Sequence, residues 1–492
     1  MTRDEFVDEL LACAKRLWTS MWSALPDEQR LRLAAIESEL GTIGRQLQAG
    51  LWGLVAEQLD EFGAQIEGRC DGCRYRRERR RDKVEIDVLG HRCVFPCSYL
   101  YCRRCGKGVN PVRRWLGMEH GDVSLGLERA VTDLTTRMTF GDAVSSMQEH
   151  HGQSIDRTKA ERITYRVGEQ AAAYLGERRA KAREAQLSGD GAMASQLVFT
   201  ADGGMIPVGV LTRPTQDVLD ARTPRTPTRQ LAKGTRSIAG REGRLIAVHP
   251  AQRQDQRIVD LHIAPYDDVA YTGERMRAAA AAAGLRDHSH IHGVFDMGRW
   301  IHPQFEQQFD SYERSACADI MHVADYLIDA GRVVAGVDGA IGWGMMQKRR
   351  LLDGQFDAVR ADLAAHACTK TCTSDEHPQC RVVIARRYLE NHESYVDQYA
   401  EIRRRDLPVG SGEAESGVRH LLKRRMSIAG AWTEAHADLM LGILAIRASG
   451  WWDDFWAWRD QRDRERWHQR QLGACRPRFR GRPVSTAPEV TA

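Results

Sequence analysis

Apolar residues return every three or four positions early in the chain, at Leu33, Ile36, Leu40, Ile43, Leu47 and Leu54, with Gly50 missing a beat. The pattern predicts a helical region over residues 1–66, packed on its own domain because the seam is short and broken by glycines. Two strand-like stretches follow, Val84–Val88 and Arg92–Leu100. Helical spacing resumes over Leu125–Met138 and Phe140–His151, where Phe140, Ala143, Val144 and Met147 share a face. After a break at Gly152–Gln153 a third helix opens near Ser154–Asp156 and carries Arg157, Lys159, Arg162 and Arg166. Short helix, turn and basic helix is the layout of a major-groove reader, so residues 122–190 are expected to form a helix-turn-helix-like DNA-binding domain, with Arg157, Lys159 and Arg162 on DNA.

Beyond residue 190 the pattern turns to strands. Gln196–Asp202 is an apolar run ending in an acid, and Met205–Leu211 reads as the return strand of a hairpin. Arg213–Gly243, rich in Thr, Pro and Arg, reads as a loop, and Arg244–His249 as a third strand. An alanine-dominated helix, Tyr271–Gly284, precedes the strand Ser289–Phe295, which ends at Asp296. Ala318–Val323 reads as a fifth short strand carrying Asp319 and His322. Three strands, a helix and two more strands resemble the order of an RNase H-like sheet, in which the first and fourth strands lie side by side and would bring Asp202 and Asp296 together. Taken singly, an acid at a strand end is usually a turn former.

A mostly helical stretch, 325–406, leads to Leu407–Arg425. There a Gly-Ser-Gly turn opens a helix with Ser411 as N-cap, and Glu415, Arg419 and Lys423 follow at four-residue spacing on one face. The closing segment holds Trp432, Trp451, Trp452, Trp456, Trp458 and Trp467, expected to pack the last helices onto the core. Residues after Cys475 read as disordered.

Composition narrows the class. With 492 residues, 42% hydrophobic and 28% charged, the chain is of soluble globular type and long enough for roughly three domains. The net charge is only +4, so the whole-chain field does not announce a polyanion partner. Local runs do: Arg74, Arg76, Arg77, Arg79, Arg80, Arg81 and Lys83, then Arg403–Arg405 and Lys423–Arg425. The first residues lack a signal-peptide pattern, and no window approaches about eighteen apolar residues. A cytoplasmic protein with no membrane partner is expected. Twelve cysteines in that setting favour thiols and metal sites over disulfides. Cys70-x2-Cys73 and Cys102-x2-Cys105 supply four thiolates for a structural zinc in a ribbon over residues 67–121. Cys93 and Cys97 are either competing ligands or buried apolar thiols. A second cluster, His366, Cys368, Cys372, His377 and Cys380, is either another zinc site (Cys368, Cys372, His377, Cys380) or a loop of unliganded thiols.

Several blocks together resemble the DDE transposases of bacterial insertion sequences, nearest the group related to Mutator-like transposases. They are the two-CxxC ribbon, ADGG at 201–204, FDMGRW at 295–300, DIMH at 319–322, YLENHESY at 388–395 followed by LPVGSGEAES, and ASGWWDDFW at 448–456. The resemblance covers roughly residues 68–456, and its last blocks are the most specific. It implies an α/β fold: an RNase H-like mixed-sheet catalytic core with a helical insertion, preceded by a zinc ribbon and a helical DNA-binding region. The expected division is 1–66 helical, 67–121 ribbon, 122–190 DNA-binding, 191–324 first part of the core, 325–406 insertion, 407–470 C-terminal core helices and 471–492 tail.

By position the resemblance makes Asp202, Asp296 and Glu415 the catalytic triad, with Glu413 as an alternative third acid. Asp319 and His322 match the group's acid-x-x-His pair, which puts His322 near the active site. Three carboxylates suit Mg2+ or Mn2+, and two such ions can stabilise both the attacking and the leaving oxygen of a phosphodiester. Arg419 and Lys423 would meet the phosphate backbone. The implied partners are double-stranded DNA, as transposon ends and target, and a second copy of the chain as a dimer on that DNA. One departure is that the second acid commonly sits in Asp-Gly-Ala and here in Asp296-Met297-Gly298, which leaves the form of that turn open. Two other function classes fit the same blocks: a transposase-derived DNA-binding regulator without cutting activity, and an RNase H-like nuclease without strand joining.

Overall fold

The computed structural model describes the chain except residues 1–2, 25–36, 38–39, 45, 49, 53–54, 56–65, 68–77, 111–112, 114–121, 213–234, 265–268, 299, 367–377, 429–431, 474–477 and 480–492. Two compact units emerge, one of Met1–Thr164 with Trp456–Ala492, the other of Tyr165–Phe455.

The first unit begins with helix α1 (Arg3–Ala24). Strands β1 (Glu78–Val88) and β2 (His91–Tyr101) form an antiparallel hairpin from Val88 opposite His91 to Glu78 opposite Tyr101, and the short β3 (Gly108–Val109) adds to β2. Gly90 turns the hairpin at φ 82°, a conformation that side chains resist. One hairpin face buries Val84, Ile86, Val88, Cys93 and Cys97 as a small core. Burial pushes the Cys93 thiol up to about 11. Of the early apolar seam, Ile43 is buried and Leu40 is exposed, while Leu33, Ile36 and Leu54 lie outside the described residues.

Helix α2 (Leu125–Thr135) starts at Ser124, whose side chain accepts the Leu127 N–H. Helix α3 (Phe140–His151) is capped by Thr139, which accepts the Asp142 N–H, and stops at Gly152 in the left-handed region. Helix α4 (Arg157–Ser188) follows Asp156, whose Oδ1 accepts the Lys159 N–H at 2.8 Å. Cap residues therefore set these boundaries, as the sequence expects, with α2 ending three residues earlier than read.

The second unit is built on a five-stranded mixed sheet. Its strands are β4 (Gln196–Thr212), β5 (Thr235–Pro250), β6 (Ile258–Ile263), β7 (His290–Phe295) and β8 (Glu313–Ala318), in spatial order β6-β5-β4-β7-β8. Pairings β4–β5 and β5–β6 are antiparallel; β4–β7 and β7–β8 are parallel. The first and fourth strands of this sheet are thus neighbours, an order compatible with an RNase H-like core. Every residue of β7 is buried, the mark of a parallel strand covered on both faces. Phe199, Phe295, Phe305 and Phe309 meet at ring separations from 5.2 to 6.4 Å. Helix α5 (Val269–Ala282) sends Met276, Ala279 and Ala280 into the same core.

Three strand expectations are corrected. Met205–Leu211 is no return strand, because β4 runs straight on to Thr212 and pairs with β5 along its length. Gly203 and Gly204 serve close approach instead of turning. A methyl on Gly203 would stand 2.7 Å from Glu242 Oε1, and one on Gly204 3.1 Å from Val418 Cγ1. Residues 235–243, read as loop, belong to β5, and the third strand is completed by the unforeseen β6. Finally β8 ends at Ala318. Asp319 then caps helix α7 (Ile320–Val334) by accepting the Met321 N–H at 2.7 Å, so Ala318–Val323 is not a strand.

After α6 (Ile301–Gln308) and α7 come α8 (Gly336–Leu352), α9 (Phe356–Ala365), α10 (Pro378–Asn391), α11 (Glu393–Val396) and α12 (Tyr399–Arg404). Helices α7 and α8 touch through glycine: a methyl on Gly344 would lie 2.5 Å from Ile328 Cγ1 and 2.8 Å from its backbone. Gly344→Ala is therefore expected to destabilise by about 1–3 kcal/mol. Gly342→Ala, on the open side of the same helix with nothing within 4 Å, should stabilise by about 0.5–1 kcal/mol. Urea unfolding of both variants checks the pair. Among the described residues no helix is long and apolar enough to cross a membrane.

Candidate active site

Parallel pairing sets Ala201 opposite Phe295, so Asp202 and Asp296 come next on adjoining strands, whose spacing is about 4.8 Å. The Asp202 carboxylate accepts the Gly203 N–H at 2.6 Å, and that of Asp296 accepts the Gly298 N–H at 2.9 Å. Between Asp296 and Gly298, Met297 holds φ 61° while its side chain is buried in the core. The turn after Asp296 is thus left-handed at a residue other than glycine. Here the cost of that conformation, about 1–2 kcal/mol, is set against apolar burial of the methionine.

Beside these acids, helix α13 (Gly412–Gly417) runs on as a π-helix, Val418–Met426. Ala414, Val418, Leu422 and Met426 are buried, and Val418 and Leu422 pack on Gly204. Glu415, Arg419 and Lys423 form the exposed stripe next to that buried one. Stretches of π-helix occur frequently at functional sites. The Asp202 carboxyl is pushed up to about 6, chiefly by burial, with Asp296 and Glu415 adding to the rise and Lys423 and the Gly203 N–H opposing it. Asp296, Glu415 and Lys423 thus all lie within electrostatic reach of Asp202.

Ser411 departs from expectation. Its side chain makes no capping bond; its hydroxyl donates to Asp319, which also accepts the Ser411 N–H at 3.0 Å. Asp319 in addition donates its own N–H to Phe295 O at 2.8 Å, so it ties the end of β7, the start of α7 and the turn before α13. His322 is exposed, 5.7 Å from the Tyr326 ring and 6.4 Å from the Tyr388 ring. The Tyr388 hydroxyl in turn donates to Asp296 O at 3.4 Å. Glu413 has other partners: its carboxylate lies 3.1 Å from His249 and 3.4 Å from Arg257.

Elsewhere in this unit the sequence missed Glu242 and Trp300. The indole N–H of Trp300 donates to Glu242 Oε1 at 3.0 Å beside Gly203, and Arg244 lies over the Trp300 ring at 4.3 Å. The FDMGRW block was the only hint of Trp300, and nothing hinted at Glu242.

In the first unit, Lys159 is paired with the buried Asp87, and Arg157 with Glu161 at 2.8 Å, whereas Arg162 is exposed. Cys102 and Cys105 form a knuckle in which the Gly106 N–H meets Cys102 O at 2.9 Å; Cys70 and Cys73 lie outside the described residues. So do Cys368, Cys372, His377 and the Cys380 side chain, while His366 is exposed, with Nδ1 2.9 Å from Asp362 O.

Among the described residues no three His, Cys, Asp or Glu side chains come close enough together to hold a metal ion. The donor set at the strand ends is carboxylate only, the chemistry that hard divalent cations accept, and burial first and the neighbouring acids second raise the Asp202 carboxyl. A consequence for the metal-free protein follows. Above pH 6 ionised Asp202 sits in an unfavourable site, so Asp202→Asn should raise the thermal midpoint at pH 7 by roughly 2–4 °C for each kcal/mol relieved. As the pH falls through 6 that gain should shrink in a thermal melt, and it should vanish only below about pH 4, where the aspartate of the unfolded chain is protonated too.

Fold and site together define a mixed α/β protein whose central strands end in a cluster of acids. Among solved structures the chain is similar to the "Drosophila P element transposase strand transfer complex", at 7% identity and a TM-score of 0.27, covering 70% of this chain and 82% of that one. No family model and no curated protein matches the chain.

Proposed function

We propose that the chain is a DDE transposase that cuts DNA at transposon ends and joins the freed strand to a target. The observation carrying this reading is the register that sets Asp202 and Asp296 on adjoining strand ends, with the helix of Glu415 packed against Gly204 of the same strand. On this reading the sheet is the core of an RNase H-like domain. Asp202, Asp296 and Glu415 would hold Mg2+ or Mn2+. Bound there, divalent ions supply an activated water or 3′-hydroxyl and stabilise the leaving oxygen.

The chain's own groups do the rest. Asp202 gives up its proton as cations bind. Arg419 and Lys423, exposed beside Glu415, hold phosphates on the path to the acids. His322, exposed above Tyr388, orients a phosphate or water. Cys70, Cys73, Cys102 and Cys105 hold a structural zinc, and Arg157, Lys159 and Arg162 approach double-stranded DNA, with a dimer assembling on it. Purified protein should nick terminal-inverted-repeat DNA in Mg2+ and join a pre-cut end into a plasmid, and EDTA should stop both. Nicking without joining points to a nuclease; binding with no metal-dependent product overturns the reading.

A further inference from the structure

Glu413 lies two residues before Glu415 and sits in a charged clamp. His249, at the end of β5, is buried, with Nδ1 2.8 Å from Pro250 O and Nε2 3.1 Å from Glu413 Oε2. Arg257, just before β6, reaches Glu413 Oε1 at 3.4 Å, and its Nε donates to Ala448 O at 3.2 Å. Burial works against a charged ring here, but the Glu413 carboxylate and the Pro250 carbonyl outweigh it and raise the proton affinity of His249. Glu413 and Arg257 are the charged groups facing it.

The helix these groups grip opens at Gly412 and continues into the π-helix Val418–Met426, and its Ser411 hydroxyl is committed to Asp319. Its first internal bond, Glu415 N–H to Ser411 O at 3.1 Å, belongs to the proposed third acid itself. The first turn, which carries both Glu413 and Glu415, has no side-chain cap, so its position depends on what holds Glu413 from outside the helix. We infer that His249 and Arg257, by holding Glu413, are positioning residues that fix Glu415 against Asp202 and Asp296. This rests on the proposed reading of Glu415 as the third acid. Glu413 then has a task distinct from ligation, which accounts for two acids so close in GSGEAES.

The test is Mn2+ binding to the full chain, followed by the electron paramagnetic resonance signal of free Mn2+, with thermal melts alongside. Glu413→Gln and His249→Gln should each weaken Mn2+ binding about tenfold, the scale of losses when a partner that orients metal ligands is removed. The double variant should bind no more weakly than either single one, since the pair acts as a unit. Glu415→Gln should weaken binding further. If Glu415→Gln weakens binding while Glu413→Gln and His249→Gln match the wild type, the clamp is overturned and the triad stands. If Glu415→Gln itself leaves Mn2+ affinity unchanged, the triad falls and the clamp's role with it. Should His249→Gln fail to fold, Glu413→Gln decides alone, because it keeps the shape of the side chain.

Discussion

Asp202→Asn and Glu415→Gln are each expected to lower metal-dependent nicking by on the order of a thousandfold or more, equivalent to roughly 4 kcal/mol of transition-state stabilisation. On the proposed reading each change removes a charge and a metal-ligand oxygen while keeping the size of the side chain. Asp202 is the more sensitive position. It sits on β4 between β5 and β7, and its carboxyl is the one that burial and the two other acids push up to about 6. Asparagine there removes the repulsion and the affinity for cations together, so the variant should melt higher and cut less. That opposition is diagnostic, because a mutation that merely damaged the fold would lower both. Glu415 is exposed and pairs with no backbone donor of a strand, so Glu415→Gln should leave the melt near that of the wild type. Nicking rates within tenfold of the wild type in either variant would remove the triad as the seat of catalysis.

How far the site could be read beforehand depended on what burial does to each segment. Asp202 and Asp296 were legible because each closes an apolar run, QLVFT or HIHGVF, that only a buried strand explains. Choosing Glu415 over Glu413 took the resemblance; in the fold, the His249 and Arg257 ion pairs give Glu413 another partner. Gly203–Gly204 misled, since glycine marks turns and close packing alike, and the neighbour that demands it, Val418, is more than two hundred positions away. Asp319 misled in a similar way. An acid after a strand-like run was read into the strand, while its carboxylate opens a helix and ties down Ser411. The π-helix after Gly417 has no local sign in the sequence. Neither did β6 look like a strand, since IVDLHI places an aspartate and a histidine where a buried strand should be apolar.

Those two residues carry the second large expected effect: Asp260→Ala should destabilise the protein by about 3–5 kcal/mol, through buried cations left without their counter-charge. Arg275 Nη1 lies 2.9 Å from both Asp260 oxygens, Arg179 Nη1 is 3.1 Å from one, and His262 Nδ1 is 2.9 Å from the other. His262 must donate there, so its Nε2, 3.1 Å from Thr272 Oγ1, accepts the threonine proton, and the same oxygen accepts from Arg244 Nη1 at 2.6 Å. The ring is therefore neutral, in line with its lowered proton affinity on burial. The arginines hold the Asp260 carboxyl well below the ordinary range despite its burial. A depressed acid contributes its stability above the unfolded value, near pH 4, and loses it as the pH falls towards the folded value. Denaturant midpoints for the wild type should thus fall between pH 4 and pH 2 more steeply than those of Asp260→Ala. If the penalty arises from stranded charge, Asp260→Leu combined with Arg275→Met should recover most of the loss, because apolar side chains of similar volume can replace a buried pair at little cost. A double variant as unstable as Asp260→Ala alone would mean that β6 needs these polar groups for its place in the sheet and not merely for one another.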